Sequence, residues 1–64
     1  MKIGDKISFR YNGRSVCGIV YSIVGKSIVI TLHTDYIGKN EEWFSGEIKR
    51  FFKGGMKNLK IIGE

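Results

Sequence analysis

Proline is absent from the 64 residues, cysteine and histidine occur once each, and no apolar run approaches the length of a membrane span. Each absence excludes something. With no proline, no repeat at fixed spacing and no low-complexity tract, nothing divides the chain, so residues 1–64 read as a single domain. Cys17 has no second cysteine to pair with, which rules out an internal disulfide and predicts a reducing, cytoplasmic setting. Gly4, Asp5 and Lys6 interrupt the apolar stretch that a secretory signal would need after Met1. A helix crossing a bilayer needs about 20 apolar residues, so no membrane role is expected. His33 and Cys17 would need carboxylates to complete a zinc site, an unusual structural donor set, so neither a metal nor a cofactor is expected.

Acidic residues are also scarce, six against eleven bases for a net charge of +5, and they are unevenly placed. Residues 1–34 carry five bases and one acid, 35–47 one base and four acids, and 48–64 five bases and one acid. A basic balance of this kind favours a polyanionic partner. At 42% hydrophobic and 27% charged residues the chain lies in the globular range. A domain this short buries only about 60% of its unfolded surface, so its stability is modest.

Ile7, Phe9 and Tyr11 alternate with Lys6, Ser8 and Arg10, the period of a strand with one wet face. Asn12-Gly13 follows, and both residues tolerate the positive φ of a type I′ hairpin turn. Residues 14–24 are apolar in both phases, with Gly18 placed to allow a bend or a close backbone approach. Residues 27–34 alternate again and are rich in β-branched side chains, which disfavours helix. Gly25-Lys26-Ser27 has the letters that end a phosphate-binding P-loop. Val20 stands where the first glycine of that loop belongs, and a strand rather than a helix follows Ser27, so Gly25-Lys26 is read as a tight turn.

Residues 35–46 form a longer connection, after which two readings stay open. Asn40 could cap a helix near 41–53, with Glu41 and Glu42 in its first turn and Phe44, Ile48, Phe51 and Phe52 on one stripe. Gly46 would weaken that helix by about 1 kcal/mol relative to alanine. Glu47–Phe52 equally suits a fourth strand, and this is the favoured reading. Residues 56–59 fit a 3₁₀ turn and 60–62 a short closing strand. The expectation is therefore an all-β, five-stranded SH3-like barrel with a 3₁₀ turn before its last strand, the alternative being β-β-β-α-β. Closure would remove exposed edges and keep the chain monomeric.

The stretches Gly4-Asp5-Lys6-Ile7-Ser8-Phe9, Asn12-Gly13 and Gly18-Ile19-Val20-Tyr21-Ser22-Ile23 together resemble the KOW-type opening of SH3-like barrels. The resemblance covers roughly the first thirty residues. It implies a small barrel in a nucleic-acid or transcription-linked role.

Catalytic groupings are weak. Cys17 and His33 come near one another if strands two and three pair about Gly25-Lys26, yet no orienting acid accompanies them. Glu41 and Glu42 are adjacent, and so point to opposite faces of a strand. Neither catalysis nor a small-molecule substrate is expected. The informative grouping is Lys49, Arg50, Lys53, Lys57 and Lys60, with Phe51 and Phe52 embedded and Arg10 and Arg14 flanking the first hairpin. Such interleaving suits phosphate contact and base stacking. Phe51 and Phe52 cannot both face outward on one strand. The favoured function is a non-catalytic module that binds nucleic acid with low sequence selectivity through Arg10, Arg14, Lys49, Arg50, Lys53 and Lys57. The second is a protein-interaction module using Tyr36, Glu41, Glu42, Trp43 and Phe44, in keeping with a small regulator or inhibitor such as a phage accessory protein. An exposed Trp43 would favour the second reading, and a buried one would make the loop a plug.

Overall fold

In the computed structural model, which describes residues 1–63, the chain forms seven strands and one 3₁₀ turn. The strands are β1 (Lys6–Tyr11), β2 (Arg14–Val24), β3 (Ser27–Leu32), β4 (Tyr36–Ile37), β5 (Glu42–Trp43), β6 (Ile48–Phe52) and β7 (Lys57–Gly63), with the turn at Lys53–Gly55. The principal sheet is antiparallel in the order β6-β3-β2-β1-β7, and β4-β5 make a separate hairpin. Asn12 and Gly13 close the first hairpin with φ of 49° and 79°, the two positive values that a type I′ turn requires.

No helix occupies 41–53; β5 and β6 replace it. The helical stripe is split by strand alternation, which buries Phe51 and leaves Phe44, Ile48 and Phe52 exposed. The connection read as irregular holds its own hairpin. The 3₁₀ turn falls on Lys53–Gly55 rather than 56–59, because Gly54 and Gly55 form it and buried Met56 then anchors a closing strand longer than 60–62.

The sheet is rolled rather than flat. Phe9 on β1 and Phe51 on β6 are three strand steps apart, which in a flat sheet would separate them by about 14 Å. Their ring centroids lie 5.1 Å apart. Phe51 also meets Tyr11 at 5.3 Å, although by register Phe51 is level with Ile28 and Ile23, and Tyr11 adjoins the opposite end of β2. The sheet therefore coils diagonally, bringing the end of β6 over the end of β1. Two features of β2 permit this: the register shifts between Val20 and Ser22, leaving Tyr21 as the extra residue, and Gly18 brings the backbone close to β3.

Inside the roll, Ile7, Phe9, Val16, Val20, Ile28, Ile30, Leu32 and Phe51 form a core, joined by Met56. Tyr36 and Trp43, from the β4-β5 hairpin, lie on it as a plug. They stack at 4.2 Å with 14° between their planes, and the Trp43 ring contacts Tyr11 and Phe51 at 5.5 and 5.4 Å. The outer face is left to Lys6, Ser8 and Arg10 on β1 and to Ile48, Arg50 and Phe52 on β6.

Candidate nucleic-acid interface

Directly opposed residues of an antiparallel pair share a face. Arg10 lies opposite Lys57, and Ser8 opposite Lys60, so β1 and β7 turn Lys6, Arg10, Lys57 and Lys60 outward together. Lys57 and Lys60 are three apart and would alternate to opposite faces in a regular strand. A bulge puts them on one face: the register shifts between Ser8 and Arg10, and Asn58 takes a φ of 53°. Arg10 is fixed on the hairpin by a hydrogen bond that its guanidinium donates to the Gly13 carbonyl at 2.7 Å. Like charges directly opposed across two strands are destabilising. Among the described residues the ion pair present is Lys49–Glu41, which leaves this face uncompensated.

The basic face continues along the chain. The Lys53 amide donates to the Lys26 carbonyl at 3.0 Å, placing these exposed lysines side by side, and the 3₁₀ turn then leads to Lys57 within four residues. Arg50 faces outward beside Val29.

Of the six contacts expected from sequence, Arg10, Arg50, Lys53 and Lys57 are exposed on the outer face, whereas Arg14, also exposed, and Lys49, half-buried, lie on the side of the plug. Arg14 is in register with inward-facing Tyr11, its guanidinium carbon 5.8 Å from the Tyr36 ring centre. Lys49 is in register with buried Ile30, where its ammonium lies 5.0 Å from the Trp43 ring centre and 3.0 Å from Glu41 Oε2. A count of charge does not separate the two sides. It also left Lys6, Lys26 and Lys60 out of the contact set. Lys6 was legible, being in phase with Arg10, whereas Lys60 depends on the bulge.

The acidic-aromatic loop is built for internal contact. Tyr36 and Trp43 are 4% and 2% exposed, so neither is presented to a partner, and the loop is a plug. Its carboxylates satisfy its own donors: Asp35 Oδ1 accepts from the Ser45 amide at 2.8 Å, and Glu47 accepts from the Phe44 amide. Glu41 accepts from the Tyr11 hydroxyl at 3.3 Å while paired with Lys49. Asn12 Nδ2 donates to the Tyr36 hydroxyl at 3.1 Å, tying the plug to the first hairpin. Of the residues expected to meet a protein partner, Glu42 and Phe44 are exposed.

Burial raises the Tyr11 pKa above the ordinary value of 10.0, and the Glu41 charge and hydrogen bond raise it further, with Lys49 opposing. A raised folded-state value means that the contribution of Tyr11 is fully present below the unfolded pKa and is lost as pH rises through the folded one. Urea unfolding across the alkaline range should therefore show stability falling above about pH 10, with a shallower fall in Tyr11→Phe. Parallel curves for the two proteins would reject this coupling.

Cys17 and His33 do meet, the His33 amide donating to the Cys17 carbonyl at 2.9 Å. Cys17 is half-buried and its own amide donates to Thr34 Oγ1. No cluster of three His, Cys, Asp or Glu side chains able to hold a metal occurs among the described residues. Gly38 to Glu42 line a shallow, open depression at the tip of the β4-β5 hairpin. No described helix is long and apolar enough to cross a membrane. No protein family, curated protein or solved structure matches the chain.

Proposed function

We propose that this protein is a non-catalytic nucleic-acid-binding module, and that its rolled sheet is a small SH3-like barrel of the KOW type. The order β7-β1-β2-β3-β6, the 3₁₀ turn before the last strand and the meeting of Phe51 with Phe9 and Tyr11 support the barrel. The observation carrying the function is the opposed, unneutralised pair Arg10 and Lys57, flanked by Lys60 and Lys6 on one exposed face. Holding like charges together is unfavourable in the free protein, and a phosphate chain relieves it by neutralising both. Phosphate contacts give affinity and orientation with little sequence selectivity.

Titration of a labelled oligonucleotide across salt tests this. Affinity should fall linearly with salt on logarithmic axes, and Arg10→Ala or Lys57→Ala should each flatten the slope by about one unit. Arg14→Ala, on the plug side, should leave the slope unchanged. Salt-independent affinity, or no binding at low salt, rejects the function.

A further inference from the structure

Phe52 is the most exposed large hydrophobic residue of the described chain at 67%, and it faces outward because its neighbour Phe51 is drawn into the core. It sits opposite Ser27, which in turn is opposite Val24, itself 57% exposed. Ser27 itself is buried at 7% exposure, so the apolar surface here is presented by Phe52 and Val24 on either side of it. Arg50 precedes Phe52 on the same outer face. Lys53 follows it, and Lys53 is held against Lys26. By register, Glu47 lies beyond the far end of β6, so the charged residues nearest Phe52 along the strand and across its end are the bases Arg50, Lys53 and Lys26.

An exposed aromatic ring on a basic stretch of surface is complementary to an aromatic group carrying negative charge. We propose that the exposed Phe52 ring receives an unstacked nucleobase, and that the protein takes single-stranded rather than duplex nucleic acid. The inference rests on the phosphate-binding reading above and names its substrate class. Base faces inside a duplex are covered by their neighbours, whereas a single strand can lay one base on Phe52 while its phosphates reach Arg50 and Lys53. The convex surface then carries the following phosphates through Lys53 towards Lys57 and Arg10.

Fluorescence anisotropy with a labelled single strand and a duplex of the same sequence tests it, using wild type, Phe52→Ala, Phe52→Tyr and Arg10→Ala. Trp43 emission serves as the check on folding. The single strand should bind more tightly; Phe52→Ala should weaken it about tenfold, leave duplex binding unchanged, and be reversed in Phe52→Tyr. If Phe52→Ala changes both affinities equally or neither, while Arg10→Ala weakens both, the stacking inference falls and phosphate binding stands. If no oligonucleotide binds at low salt, both fall. A dimer that Phe52→Ala dissociates, with oligonucleotide affinity unaltered, overturns it in favour of a second copy covering this face.

Discussion

Trp43→Ala is expected to abolish cooperative unfolding at 25 °C, leaving a chain with weak near-ultraviolet dichroism. Removing a large buried aromatic costs about 3–5 kcal/mol. At about 0.05–0.15 kcal/mol per residue, a chain of this length has only about 3–10 kcal/mol in total. The loss is concentrated because Trp43 stacks on Tyr36, contacts Tyr11 and Phe51 and lies under the Lys49 ammonium. The β4-β5 hairpin has only two residues in each strand, and beside the Trp43 contacts it is held by the polar bonds of Asn12 to Tyr36 and of Tyr11 and Lys49 to Glu41. Trp43→Phe should be far milder. It keeps an aromatic ring in the plug and removes Nε1, a buried donor with no acceptor among the described residues. Urea titration followed by far-ultraviolet dichroism decides the matter. A Trp43→Ala protein that unfolds like wild type would return Trp43 to the role of a surface contact.

Gly18→Ala is the second large effect. A β-carbon there would lie 2.5 Å from Ile30 Cγ2 and closer still to the Thr31 carbonyl oxygen. The isoleucine methyl could shift, but the Thr31 oxygen belongs to the backbone of the adjoining strand and cannot rotate away. Overpacking of this kind costs about 1–3 kcal/mol, and a backbone obstacle places it at the upper end. At about 4–8 °C for each kcal/mol in a domain of this size, the expected fall in Tm is about 12–24 °C. Gly54→Ala is the matched control, since nothing lies within 4 Å of the added carbon and no positive φ is needed. Its stability should change by no more than about 0.5 kcal/mol. Similar Tm values for the two variants would remove Gly18 as a close approach on which the roll depends.

The plug and the roll also explain how far the site was legible. Phase alone placed Arg10 on the wet side of β1, and the Asn12-Gly13 turn fixed what β1 pairs with. The same phase argument made one of Phe51 and Phe52 outward, though it could not say which. Cys17 and His33 were correctly brought together, because the strands pair about Gly25-Lys26 and the shift at Tyr21 moves the register by the single residue needed. For Lys49 the sequence did not show its surroundings: Trp43, Phe51 and Glu41 converge on it from elsewhere in the chain and leave its side chain 32% exposed on the side of the plug. The acidic interval misled for a related reason. Its carboxylates cap amides ten and three residues away, and a count of charge does not separate a presented acid from one already bonded.

Sequence by itself determined the β class, the first two turns, the close backbone approach at Gly18 and the basic balance, because these depend on alternation, backbone permissiveness and composition, all of which are local. Tertiary structure alone decided that Tyr36 and Trp43 pack on the core of the open, rolled sheet, that Lys49 pairs with Glu41 beside them, and that Lys57 and Lys60 share a face with Arg10. Those outcomes depend on which distant residues the coiled sheet brings together and on one bulge at Asn58, and pairing across the chain is not written in any short stretch of it.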